Sequence, residues 1–184
     1  MAIINTPNRA YPYPDYAQTA NFPTQIQNFA NAVDADVQAL ATAVTSALNR
    51  PGVRVTAIPA QSVPTGGGGA AATFDTEDYD NGGFFTLGSP DRLIIPVTGL
   101  YVGAFRCTFA SNDTGVRNAY VEQALTTNLQ GTTSAAGSAG GATGSFTFIQ
   151  SFPAGAIVRF IMRQDSGGSL NVTTKRASLS LVTL

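Results

Sequence analysis

The spacing of apolar positions changes near residue 51, and the change divides the chain. From Thr24 to Leu48 (TQIQNFANAVDADVQALATAVTSAL), apolar residues recur at Ile26, Ala30, Val33, Val37, Leu40, Val44 and Ala47, spaced 4-3-4-3-4-3. That is a heptad seam over three repeats, with Ala30, Val37 and Val44 at one core position and Ile26, Val33, Leu40 and Ala47 at the other. Thr24 and Gln27 have the spacing of a capping box, and Asn49-Arg50-Pro51-Gly52 stops the helix. Off-seam positions are mostly Asn, Asp, Gln, Thr and Ser. A helix so patterned is expected to pair with copies of itself as a short stalk. β-branched residues at both core positions favour three strands over two. The same stripe also suits a surface helix packed on its own domain. Three heptads with Ala in the seam are marginal alone, so a head that trimerises as well would support them.

Past Pro51 the period falls to two. Alternating runs occur at 53–58, 71–75, 83–87, 92–97, 99–110, 116–125, 145–152, 156–164, 169–174 and 177–184, and most gaps hold Gly, Pro, Asn or Asp clusters. About ten strands with no helix between them imply an antiparallel sandwich. In VGAFRCTF, Gly103, Phe105, Cys107 and Phe109 share the face expected to be core. In AIVRFIMRQ, Val158, Phe160 and Met162 oppose a face that carries Arg159 and Arg163, in solvent or at a subunit seam. The small-residue stretch GTTSAAGSAGGATGS (131–145) reads as a loop at one end of the sandwich. With 111–115 and 165–168 it is a candidate for ligand contact, since loops on a rigid scaffold carry recognition.

Residues 1–22 follow neither period. NTPNRAYPYPDYAQTANFP alternates Tyr11, Tyr13 and Tyr16 with Pro12 and Pro14. Proline removes a backbone donor and pushes the preceding residue to extended conformations, so this is neither helix nor central strand. The expected organisation is an extended Tyr/Pro-rich arm (1–22), an amphipathic helix (23–50) and a β head (51–184).

Composition narrows the function. Charged residues are 11% of the 184, against about a quarter in an ordinary domain, and the net charge is −1 with no basic run. Nothing points to nucleic acid or to insertion in a membrane. Histidine is absent, which removes the commonest general base and metal ligand and any Ser-His or Cys-His pair. Cys107 is the single cysteine and reads as a small buried hydrophobe. FDTEDYDNGG gathers Asp75, Glu77, Asp78 and Asp80, a set able to hold Ca²⁺ but without EF-hand spacing; the plainer alternative is a solvated or hydrogen-bonded loop. A glycosidase would need a second acid opposite these, and nothing places one. PTGGGGA lacks the Lys-Ser/Thr of a phosphate loop. We therefore expect no enzyme, no cofactor and no metal. MAIINTPNRA lacks a basic start followed by an apolar stretch, so synthesis in the cytoplasm without a signal peptide is expected.

Four segments carry a resemblance. Phe74–Gly83, Arg92–Tyr101, Phe152–Val158 and Leu179–Leu184 together resemble the C1q/TNF-like jelly roll. The most specific element is Pro96-Val97-Thr98-Gly99-Leu100-Tyr101, similar to the family's P-x-x-G-x-Y. Phe152–Val158 is similar to L-x-x-G-D-x-V, with Ala156 in place of the Asp. The resemblance implies a compact homotrimer. Separately, N-x-P-N-R-x-Y-P-Y-P-D followed by a short amphipathic helix resembles the start of small virion proteins of tailed bacteriophages. That implies a protein of the virion surface whose arm docks on other phage proteins, Tyr11, Tyr13 and Tyr16 filling pockets while Pro12 and Pro14 hold the strap extended. The implied role is a trimeric short tail fibre or tail-tip adhesin touching a host glycan or surface protein. The alternative is a capsid decoration or head-fibre protein of the same build.

Overall fold

The computed structural model describes residues 4–5, 12–13, 22–123, 127–137 and 141–183. They fall into two compact units, Met1–Asn49 and Arg50–Leu184.

In the first unit, β1 (Ile4–Asn5) pairs antiparallel with β2 (Pro12–Tyr13), and α1 runs from Phe22 to Leu48. The arm is thus not a single free strap where it is described: its two extended segments pair with each other. Helix α1 starts two residues ahead of the expected Thr24. Pro23 sits in the first turn, where backbone N–H groups have no intrahelical acceptor and its missing donor costs nothing. Thr24 therefore lies inside the helix. The Gln27 amide donates to Asn31 Oδ1 at 2.9 Å, one turn on.

The second unit contains β3 (Gly52–Ala57), β4 (Gln61–Val63), β5 (Ala70–Ala71), β6 (Thr76–Asn81), β7 (Leu93–Ile94), β8 (Gly99–Phe109), β9 (Asn112–Gln123), β10 (Thr127–Gly137), β11 (Thr143–Phe152), β12 (Ile157–Gln164) and β13 (Leu170–Thr183). One sheet has the order β11-β8-β13-β3-β6, with β4 also on β13. The other has β10-β9-β12-β5, with β7 also on β12. All these pairs are antiparallel.

The core lies between the sheets, where the alternation put it. Phe105, Cys107 and Phe109 of β8 face Val158, Phe160 and Met162 of β12, and all are buried. Phe160 stacks on Phe105 with ring centroids 4.9 Å apart and meets Phe74 edge-on. Gly103 leaves the room that the Phe148 ring fills: a Cβ there would stand 2.3 Å from that ring.

Five local expectations need correction. Much of the 131–145 stretch is strand rather than loop: Thr127–Gly137 is hydrogen-bonded along β9, and β11 begins at Thr143. Small uncharged residues do not favour a strand, but a long partner supplies the ladder. Residues 112–115, expected in a loop, are the start of β9. The acidic segment is strand β6, not a loop, paired to β3 with a bulge at Arg54/Val55. It is an edge strand, and charge on an edge discourages pairing with another sheet. Conversely, 83–87 is no strand. Gly82 and Gly83 take positive φ, and Phe84 and Phe85 are both buried, which alternation forbids. Finally, 169–174 and 177–184 are one strand, β13. A register shift between Val172 and Thr174 resets the alternation, so that Lys175, Ala177 and Leu179 face inward.

Candidate functional site

The seam of α1 is apolar and open. Ile26, Val37, Leu40 and Val44 are 49%, 58%, 62% and 49% exposed, Val33 is half-buried, and Ala30 and Ala47 are exposed. Phe29 and Leu48 widen the stripe. This much aliphatic surface aligned on one helix face is what a partner helix covers. Of the arm residues, Pro12 and Tyr13 lie in β2, whereas Tyr11, Pro14 and Tyr16 fall outside the described residues.

The segments that carry the jelly-roll resemblance meet in space. Tyr101 is buried, and its hydroxyl donates to Val97 O at 2.7 Å, clamping the turn before β8. Burial raises the Tyr101 pKa, so the phenol stays a donor. The next turn joins this one, since Thr98 Oγ1 accepts from Ala154 N at 2.9 Å. Ala156 keeps its strand role: its carbonyl accepts from Ile95 N at 2.9 Å.

The acidic residues do structural work and do not converge. Asp80 accepts three backbone N–H bonds, from Gly83 (2.9 Å), Phe84 (3.0 Å) and Phe85 (2.8 Å). This carboxylate replaces the missing ladder in 83–87. Asp78 pairs with Arg54 at 3.1 Å, and Asp75 accepts from Thr76 Oγ1 at 2.9 Å. Among the described residues no three acidic or sulfur groups gather as metal ligands.

Sequence reasoning passed over a second network. Asp91 takes a two-point contact from Arg92 (2.8 and 3.2 Å) and a further one from Arg159, which also reaches Glu122 at 3.6 Å. Arg159 is therefore held in an ion network, whereas Arg163 is exposed. The Arg92 hydrogen bonds, with help from Arg159 and against partial burial, hold the Asp91 carboxyl down at about 2. Beyond the adjacent Asp91–Arg92 pair, Arg159 reaches acids that are distant in the sequence, so no local pattern announces the network.

Two of the expected recognition segments do come together at one end of the sandwich. Asp165 of the 165–168 turn accepts from the Val116 N–H. Arg117 is buried and donates to the carbonyls of Thr114, Val116 and Asn112, which shapes the start of β9. Gln164, also buried, binds Val63 O (3.0 Å) and Gly168 O (2.7 Å), while its own oxygen accepts from Ser166 N. Gly137 of β10 lies opposite Asn112. The start of β9 and the 165–168 turn are thus held by hydrogen bonds from within. Among the described residues no helix is long and apolar enough to cross a membrane.

No protein-family model and no curated protein matches the sequence. Solved structures do. The globular domain of the zebrafish complement 1qA protein superposes with a TM-score of 0.53 at 13% identity, over 72% of this chain and 98% of that one. Eiger TNF from S. frugiperda gives 0.55 at 9% identity over 73% and 94%, and murine APRIL gives 0.55 at 10% over 72% and 99%. The chain therefore has a C1q/TNF-like jelly-roll fold. At these identities the likeness establishes the fold alone.

Proposed function

We propose that this protein is a homotrimeric structural protein of a tailed-bacteriophage virion surface, without enzymatic activity. Its α1 helices form a short three-stranded stalk, and its jelly-roll head meets the host surface as a short tail fibre or tail-tip adhesin. The observation that carries the trimer is the open seam of Ile26, Val37, Leu40 and Val44 on a helix joined to a C1q/TNF-like fold. The virion assignment rests on the N-terminal N-x-P-N-R-x-Y-P-Y-P-D resemblance and the following helix. The head contributes binding and assembly. The similar solved structures are a complement 1qA domain, Eiger TNF and APRIL.

Two measurements test the two halves. Light scattering on residues 1–184 and on residues 50–184 reads the assembly: a trimer of the whole chain supports the stalk, and a monomer of both defeats it. Immunogold labelling of virions from the phage that encodes the chain reads the location. Label at the tail tip supports the adhesin, label over the capsid supports the decoration alternative, and unlabelled particles refute the virion role.

A further inference from the structure

One row on the outer face of the six-stranded sheet has no part in the roles above. The register sets Arg106 of β8 directly opposite Arg176 of β13. Ser145 of β11 lies opposite Arg106 on its other side, and Thr56 of β3 lies opposite Arg176. Alternation turns all four away from the core, and both arginines are exposed. Like charges directly opposed on one face repel each other. Among the described residues neither guanidinium has an ion-pair or hydrogen-bond partner. The acid beside them, Asp78, is committed to Arg54 at 3.1 Å and to the Thr56 hydroxyl at 3.4 Å. The two arginines, Thr56, Thr174 and Asp78 line a depression of 330 Å³.

We infer that this row is an oxoanion-binding site, taking a single sulfate, phosphate or carboxylate group between Arg106 and Arg176. Opposed side chains on a sheet face start about 5 Å apart, so two guanidinium forks can each engage an oxygen of one small oxoanion. The Ser145 hydroxyl extends the donor row at one end, while the Thr56 hydroxyl stays donated to Asp78. Arginine suits the task better than lysine because its planar fork matches the spacing of two oxygens on the same group. Asp78 on one wall disfavours a second negative group nearby, so a single oxoanion fits and a dense polyanion does not. The bound group would cancel the repulsion that the fold otherwise bears. All these residues belong to one chain.

Calorimetric titration of the full chain with inorganic sulfate, inorganic phosphate and acetate, against chloride at matched ionic strength, tests the site. Saturable binding of one ion per chain is expected. It should weaken about tenfold or more in R106Q and again in R176Q, the loss of a charge-assisted contact. In chloride alone both variants should melt no lower than the unmodified chain, because a repulsion has been removed. Titration with glucose 6-sulfate beside sulfate, and with glucuronate beside acetate, separates the sources. Tighter binding of the sugar-borne group marks a glycan substituent, and equal binding marks the free ion. Absence of saturable binding, or binding that the variants leave unchanged, overturns the site. So does a variant that lowers the solution mass without altering ion binding, which would assign the arginines to contacts with a second copy.

Discussion

Leu40→Ala isolates the helix seam. Leu40 lies on the helix and is 62% exposed in the single chain. Fully burying a leucine is worth roughly 1.5–3 kcal/mol. Covering the exposed 62% in an assembly then contributes about 1–2 kcal/mol per chain, or about 3–6 kcal/mol for three copies. At 1.4 kcal/mol per factor of ten, the trimer association constant should fall by about two to four orders of magnitude. Alanine is the best helix former, so α1 itself is not weakened by the change. Sedimentation equilibrium over a concentration series, with circular dichroism to confirm unchanged helix content, makes the measurement. Gln38→Ala, at an off-seam position, is the control and should leave association unaltered. A fall of less than threefold for Leu40→Ala with intact helix content would show that α1 is not the assembly contact.

Other outcomes follow from the head. Asp80→Ala strips three backbone N–H groups of their acceptor, including those of buried Phe84 and Phe85, and should cost about 2–3 kcal/mol in urea unfolding; a loss under 0.5 kcal/mol would mean the carboxylate does not hold 83–87. The Asp91 carboxyl titrates at about 2 when folded, against 3.8 unperturbed. A depressed folded pKa contributes stability that is complete above 3.8 and lost as pH falls through 2. Allowing for solvent screening, about 1–2 kcal/mol should disappear over that interval. Melting temperatures from pH 5 to pH 2 should show a shallower fall in Asp91→Asn than in the unmodified chain, and parallel curves would refute the assignment. Burial pushes the Cys107 thiol up to about 12, so an aromatic disulfide reagent at pH 8 should label it only as fast as the head unfolds. Immediate labelling of the native protein would contradict the packing between the sheets.

The sandwich was legible because alternation is a local property with a physical cause. A strand sends successive side chains to opposite faces, so Phe105, Cys107 and Phe109 declare a core face before any partner is known. The seam of α1 was legible for the same reason at another period. The turns at Pro96–Tyr101 and Phe152–Val158 could be read because Pro fixes its own φ and Gly admits the positive φ other residues avoid, as at Gly155. Where local patterning is weak, the reading failed. Nothing within GTTSAAG (131–137) says strand, and only the ladder along β9 makes it one. Nothing within GFFTL forbids a strand, yet the Asp80 carboxylate and two glycines at positive φ bend it into a loop that buries neighbouring phenylalanines. The row of Ser145, Arg106, Arg176 and Thr56 belongs to the same class: its members span some 120 residues of sequence, and register alone aligns them. Periods and punctuation, fixed residue by residue, determined the helix and the β head. Which strands pair, in what register, and which charges thereby meet depended on long-range ladders, whose free energy exists only once distant segments have been brought together.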